Sequence, residues 1–134
     1  MGVAIKKSSI DLGIVTTNGD AMLAFYRDTL GFTYERQIPM PVGDGIMHRM
    51  YCGESLIKLV VLPSAPAKSA PGGIGGATGY RYWTITVSNL EEIVQACEKA
   101  GRQIAIAPRE VRPGVRIAMV EDPDGNWVEF LSVA

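Results

Sequence analysis

The sequence predicts an α+β fold of two tandem βαβββ modules, which form a curved, cup-like mixed sheet with helices on its outer face. The first observation is the element order: a strand pattern, a helix pattern and three strand patterns occur twice. The second is the spacing, since the two halves match at an offset of about 71 residues, from Asn18 to Asn89. We expect one domain over 1–134, with repeats at approximately 8–62 and 79–133.

The first module is predicted from its alternation and helical spacing. Residues 8–17 alternate as a strand does, and Asn18 can cap the helix that follows. That helix ends at Gly31, which suits a left-handed residue. Its apolar stripe consists of Met22, Phe25, Tyr26 and Leu30. Strands are predicted over 33–38, 46–52 and 56–62, the last two forming a hairpin around Gly53.

The second module repeats this pattern. Residues 80–87 form a strand, and Asn89 with Glu92 resembles a capping box. The predicted helix ends at Gly101, and its apolar stripe consists of Leu90, Ile93, Val94 and Cys97. The predicted strands are 103–107, 115–121 and 127–133.

A segment rich in Pro, Ala, Ser and Gly, residues 63–78, separates the modules and predicts a linker or a mobile flap. Its glycines nearly match a dinucleotide-binding motif, but Thr78 occupies the last position. Because no strand-to-helix context follows, we exclude a phosphate loop.

Composition excludes several classes of function. The formal net charge is -1 and the basic residues are scattered, which argues against nucleic acid and anionic membranes as partners. No apolar run approaches the length of a transmembrane helix, and the first residues lack an export pattern. Two cysteines, Cys52 and Cys97, are too few for a cysteine zinc site and are expected to be reduced core residues, so we expect a cytoplasmic protein.

One carboxylate stands out in the last strand. Glu129 shares a strand face with Trp127 and Leu131, which is costly unless something pairs with the charge. The repeat offset relates Glu129 to Lys58, the one charge in an apolar run. The same offset relates Asp11 to Tyr82 on the polar faces of the first strands. Asp11, Lys58, Tyr82 and Glu129 could therefore converge if the halves pack side by side.

Two motifs carry a resemblance over essentially the whole chain. The stretch 25–32, FYRDTLGF, and the stretch 122–129, DPDGNWVE, resemble the vicinal oxygen chelate superfamily of glyoxalase I, extradiol dioxygenases and fosfomycin- and bleomycin-resistance proteins. The resemblance implies metal ligands at the positions of Asp11, Lys58, Tyr82 and Glu129. Because a protonated Lys58 has no lone pair, we predict that its charge replaces the metal, and we expect no metal and no other cofactor.

Three functions stay open. The first is a metal-independent enzyme acting on a small oxygenated organic molecule by proton transfer, of the isomerase, epimerase or lyase type, whose catalytic residues are Asp11, Lys58, Tyr82 and Glu129. Glu129 or Asp11 would remove the proton, while Lys58 and Tyr82 stabilise the oxyanion or return the proton. The second is a non-catalytic binder like the bleomycin-resistance members. The third is a metal enzyme in which Lys58 turns aside. A structural Lys58–Glu129 ion pair is the alternative without function.

Further residues are predicted to contact the small-molecule ligand or substrate. These substrate-binding candidates are His48, Arg49, Tyr80, Thr84, Arg116 and Trp127. For His48, Arg49 and Arg116 the alternation does not decide which face of the strand they occupy. We also expect a homodimer, because the modules leave sheet edges and apolar surface to cover.

Overall fold

A computed structural model of the chain describes residues 2–134 and has two four-stranded mixed sheets, each with one helix. The first module consists of β1 (Asp11–Thr16), α1 (Gly19–Leu23) with a π-helical continuation (Ala24–Thr29), β2 (Thr33–Pro39), β3 (Ile46–Cys52) and β4 (Ser55–Val61). A 3-10 turn (Gly73–Gly75) precedes the second module, which consists of β5 (Tyr82–Thr86), α2 (Leu90–Lys99), β6 (Ile104–Arg112), β7 (Val115–Glu121) and β8 (Trp127–Val133). Among residues 2–134, the helices lack the length and apolar composition of a membrane-spanning segment.

The two sheets have the same topology, which confirms the predicted α+β fold of tandem βαβββ modules. Their strand orders are β1-β4-β3-β2 and β5-β8-β7-β6. In each sheet the first and last strands pair in parallel, and the other pairs are antiparallel. The registers also agree, since Gly13 pairs with Lys58 and Thr84 pairs with Glu129. Lys58 and Glu129 therefore occupy equivalent positions in the two modules.

The sequence predicted the strands better than the helix starts. The bounds of β3, β7 and β8 are those predicted, whereas β1 is shorter and β6 extends to Arg112. The side-chain caps were wrong: Asn18 and Asn89 lie at the N-cap positions, but neither side chain makes a capping hydrogen bond. Their backbone carbonyls instead accept from the amides of Met22 and Ile93.

One hydrophobic core joins both modules. It includes Met22 and Tyr26 from the first helix and Val128 and Phe130 from β8, all almost fully buried. Each such large side chain contributes about 1.5–3 kcal/mol when it leaves water. The core lies between the helices and one face of each sheet, so the opposite face of each sheet is available for other contacts.

A buried polar contact also links the modules. Tyr26 donates its hydroxyl hydrogen to Asp122 Oδ2 at 2.6 Å, and both residues are nearly inaccessible to water. Asp122 also accepts from the backbone amides of Asp124 and Asn126, at 2.9 and 3.0 Å, which closes the turn before β8. Thr16 of β1 donates to Asp124 in the same turn. The turn is therefore attached to the first module at two places.

Candidate functional site

The sheet surfaces opposite the helices, here called the helix-free faces, carry most of the predicted site residues. Successive side chains of a strand alternate between faces, and paired residues on neighbouring strands share one. Register therefore places Lys58 and Arg49 together on the helix-free face of the first sheet. Asp11 lies on the same face, two positions before Gly13, the partner of Lys58. The second sheet presents Tyr82, Thr84, Trp127 and Glu129.

In the first module, Asp11 and Lys58 form an ion pair. Lys58 Nζ lies 3.2 Å from Asp11 Oδ2, and Lys7 Nζ lies 2.7 Å from Asp11 Oδ1. The hydrogen bond from Lys7, followed by that from Lys58, lowers the pKa of the Asp11 carboxyl. About a third of each of the Asp11 and Lys58 side chains is exposed, so solvent reaches both charges.

In the second module, Glu129 is oriented by a threonine. Thr84 donates its hydroxyl hydrogen to Glu129 Oε1 at 2.6 Å, from the directly paired position on β5. Two residues earlier on each strand, Tyr82 pairs with Trp127 on the same face of the sheet. Tyr82 is half exposed, and Tyr80, just before β5, is fully exposed. The carboxylate thus lies among aromatic side chains that solvent can reach.

Within one chain the four predicted catalytic side chains lie in two groups, Asp11 with Lys58 on the first sheet and Tyr82 with Glu129 on the second. Asp11 is paired with Lys58, while Glu129 is paired with Thr84. In the described residues no ion pair connects Lys58 to Glu129. The physical reason is that β1 and β5 are edge strands of different sheets, with no backbone pairing between them. The sequence could identify equivalent positions, but it could not supply the distance between the modules.

The sequence left the orientation of three residues open, and the structure places them on different sheet faces: His48, Arg49 and Arg116. Arg49 lies on the helix-free face and donates to Glu35 Oε1 at 2.7 Å. His48 is one position away and faces the first helix, where it contacts the Tyr34 hydroxyl at 2.8 Å. Burial, with Arg27 nearby, lowers the pKa of His48. Arg116 faces α2, with its Nε 3.1 Å from Glu91 Oε1. Thus His48 and Arg116 do not share a face with Lys58 and Glu129.

The positions at which the family resemblance implies metal ligands carry side chains that do not fit a divalent ion. Lys58 carries no lone pair, and its ammonium lies beside Asp11, the nearest carboxylate of that set. The other carboxylate, Glu129, belongs to the second sheet. In residues 2–134 there is no group of three or more His, Cys, Asp or Glu residues that could hold a metal. These positions therefore offer one ammonium, two carboxylates and a phenol, divided between the two sheets.

Neither cysteine supplies a reactive group at these faces. Both are free thiols. Burial raises the pKa of Cys97 to about 11 and also raises that of Cys52. Protonated thiols are poor nucleophiles and poor metal ligands.

Sequence reasoning missed how the Pro/Gly-rich segment is held. Arg81, just before β5, donates from its Nε to the carbonyl of Gly73 at 2.6 Å. Gly73 itself is buried against the indole of Trp127. The sequence does show an isolated arginine after the glycine-rich run. It does not show that this arginine binds the run, because its partners are backbone carbonyls.

Comparison with known proteins identifies the family. Residues 10–130 match the model of the Glyoxalase/Bleomycin resistance protein/Dioxygenase superfamily. The chain belongs to this superfamily, as its two motifs indicated. No curated protein matches it at the level of sequence.

Solved structures share the fold at low identity. A glyoxalase family protein from Bacillus cereus has a TM-score of 0.81 at 17% identity, covering 98% of this chain and 96% of that one. An antibiotic binding protein from a Streptomyces species has a TM-score of 0.71 at 19% identity, covering 99% and 100%. Lactoylglutathione lyase from Agrobacterium tumefaciens has a TM-score of 0.65 at 20% identity, covering 96% of each chain. These relatives establish the fold and leave the reaction to the site residues.

Proposed function

We propose that this chain is a metal-independent enzyme that binds a small oxygenated organic molecule on its helix-free faces and isomerises, epimerises or cleaves it by proton transfer. The observation that carries the proposal is the Asp11–Lys58 pair, at 3.2 Å, in a position where the family resemblance implies a metal ligand. A fixed ammonium can stabilise a developing oxyanion as a metal would, without lone-pair donors around it.

The residues then take distinct roles. Glu129, oriented by Thr84, removes a proton from the carbon next to a carbonyl group. Asp11 is bound by the ammonium groups of Lys7 and Lys58, which lower its pKa, so it holds Lys58 in place. Lys58 stabilises the enolate oxygen, and Tyr82 returns a proton. Return of the proton to the opposite face of the same carbon epimerises it. If that carbon carries a hydroxyl group, protonation of the former carbonyl carbon with loss of the hydroxyl proton isomerises the molecule, and loss of a leaving group from the next carbon of the enolate is a lyase step. Glu129 then releases its proton to solvent, and Tyr82 regains one from solvent.

We propose that a homodimer completes the site, because no ion pair joins Lys58 to Glu129 within the described residues of one chain. The edge strands β1 and β5 each lack a neighbour on one side. Tyr82 of β5 is half exposed at one of these edges. A second copy can cover this apolar surface and bring the ammonium of one protomer towards the carboxylate of its partner.

A second candidate function is binding without catalysis. The exposed Tyr80 and half-exposed Tyr82 provide aromatic surface that a flat ligand can stack on. The structural similarity to an antibiotic binding protein is compatible with this alternative. Neither candidate involves nucleic acid or a membrane, and the two free thiols support a reducing, cytoplasmic location.

One experiment separates the two candidates. The protein is incubated with α-hydroxy ketones and α-hydroxy acids in D2O, and proton NMR follows exchange of the carbon-bound hydrogen. Catalysis predicts exchange that falls about 10²–10⁴-fold in Glu129→Gln and also falls in Lys58→Met. Arg109→Ala is the control, because the Arg109 side chain is exposed and makes no hydrogen bond or ion pair with the described residues. Binding with no exchange would refute the enzyme and support the binder.

The dimer has its own test. Light scattering measures the mass, which should be twice that of the chain. If each site combines two protomers, a mixture of inactive Lys58→Met and Glu129→Gln proteins should recover part of the activity. A monomeric mass, or a mixture no more active than its components, would contradict the shared site.

A further inference from the structure

The Pro/Gly-rich segment is folded back and held by one guanidinium. Besides the Gly73 carbonyl at 2.6 Å, Arg81 reaches two others from its Nη2: that of Ala70 at 2.6 Å and that of Pro71 at 3.3 Å. Hydrogen bonds from a charged donor are stronger than neutral ones. A single side chain thus fixes residues 70–73.

Two glycines allow the segment to lie this close. A Cβ at Gly73 would lie 2.1 Å from two atoms of the Trp127 indole, so only glycine can occupy this position without displacing the ring. A Cβ at Gly76 would lie 1.8 Å from the Pro71 carbonyl oxygen. Arg81, Gly73 and Gly76 therefore determine the path of the segment together.

The segment forms the wall of a pocket. The cavity has a volume of about 630 Å³ and lies between the end of β1, residues 65–71 and the turn 124–126. This volume falls within the range of small-molecule sites, about 300–1,000 Å³. Its lining includes Val15 and the methyl groups and rings of the Ala- and Pro-rich stretch. Thr17, Ser69 and Asn126 add hydrogen-bonding groups.

The pocket has one positive and one negative side chain, and the negative one already accepts a hydrogen bond. Lys68 and Asp124 are its ionisable residues. Asp124 Oδ2 already accepts the hydrogen of the Thr16 hydroxyl. Lys68 forms no ion pair with any residue in the range 2–134. An apolar wall with an unpaired ammonium suits a ligand whose apolar body carries one negative charge.

We propose that this pocket binds a compact, mainly apolar organic monoanion, such as a ring-bearing carboxylate, and that Arg81 is the positioning residue that keeps its wall in place. The site is separate from Lys58 and Glu129, so it does not depend on the proposed proton transfer. Lys68 binds the carboxylate, and Val15 with the prolines contacts the apolar body.

The test uses benzoate and benzyl alcohol, which share a ring and differ in charge. Two-dimensional NMR of the full chain should show saturable shifts at 15–17, 65–71 and 124–126 for both probes, with tighter binding of benzoate. Lys68→Met should weaken benzoate several-fold and leave benzyl alcohol unchanged. Shifts that do not saturate, or that lie elsewhere, would overturn the site. An unchanged preference for benzoate in Lys68→Met would overturn the anion assignment.

The wall is tested separately. Arg81→Ala should weaken both probes, whereas Arg109→Ala should weaken neither. In a Trp83→Phe background Trp127 is the single tryptophan, and Arg81→Ala should shift its emission to the red and increase its quenching by acrylamide. Gly73→Ala is an independent variant that displaces the segment and leaves Arg81 intact. It should likewise weaken both probes and shift the Trp127 emission to the red. Unchanged probe affinity and emission in both folded variants would refute the role of Arg81.

Discussion

Replacing Tyr26 by Phe tests the buried contact between the modules. The change removes only a hydroxyl group, and the ring can stay in the core, where Tyr26 is fully buried. Asp122 Oδ2 loses its 2.6 Å donor but keeps the Asn126 side-chain amide at 2.8 Å. A hydrogen bond to a charged group contributes about 1.5–3 kcal/mol net. Since the carboxylate retains its other donors, we expect a loss near the middle of this range, about 2 kcal/mol.

The assay is urea unfolding followed by circular dichroism, with Tyr80→Phe as the matched control because Tyr80 is fully exposed. The control should change the free energy of unfolding by no more than about 0.5 kcal/mol. Two-state unfolding must hold for this comparison, and coincident transitions from fluorescence and circular dichroism verify it. Equal stability of the two variants would refute the view that this contact joins the modules.

The pH dependence of that loss has a defined sign. Burial raises the pKa of Asp122, whereas its hydrogen bond with Tyr26 lowers it. Removing the hydroxyl should therefore raise the pKa of Asp122 further. The unfolded chain releases this proton near its ordinary pKa of 3.8, so ionisation costs stability as pH rises from there through the folded pKa. The penalty of Tyr26→Phe should be largest at neutral pH and smaller in acid, where Asp122 is protonated. A penalty independent of pH would contradict the ionised acceptor.

Three further outcomes follow from the charged groups. The Asp11 carboxyl should titrate below 3.8 by NMR. Its pKa should rise in Lys7→Met, because the hydrogen bond from Lys7 is the main cause of the shift. The ionised carboxylate stabilises the fold above pH 3.8, and this contribution is lost as pH falls through the lowered pKa. His48 should titrate below 6.5, chiefly because it is buried, and its pKa should rise partway towards 6.5 in Arg27→Ala. The free energy of unfolding should fall as pH drops from 6.5 through the lowered pKa of His48. Arg116→Ala removes an exposed ion pair and should cost about 0–1 kcal/mol in unfolding assays.

The fold was predictable because each module repeats local patterns. Strand alternation and helical spacing are properties of neighbouring residues, so β3, β7 and β8 were predicted to the residue. The caps were not predictable in the same way. At Asn18 and Asn89 the backbone adopts the cap position without the side-chain hydrogen bond that usually accompanies it.

The site was predictable in part. The repeat offset correctly made Lys58 and Glu129 equivalent, because register is set by the same topology in both modules. It could not reveal that Lys58 pairs with Asp11, since that contact depends on side-chain reach across β1 and β4. It also could not orient His48 and Arg49, whose strand has apolar residues on both faces.

The hydrogen bond between Tyr26 and Asp122 has a consequence for exchanging one half of the chain. The two residues are 96 positions apart, one in each copy of the repeat. Each half expressed alone therefore lacks one partner of this hydrogen bond. A chimaera that replaces one half keeps the bond only if the new half supplies the phenol or the carboxylate.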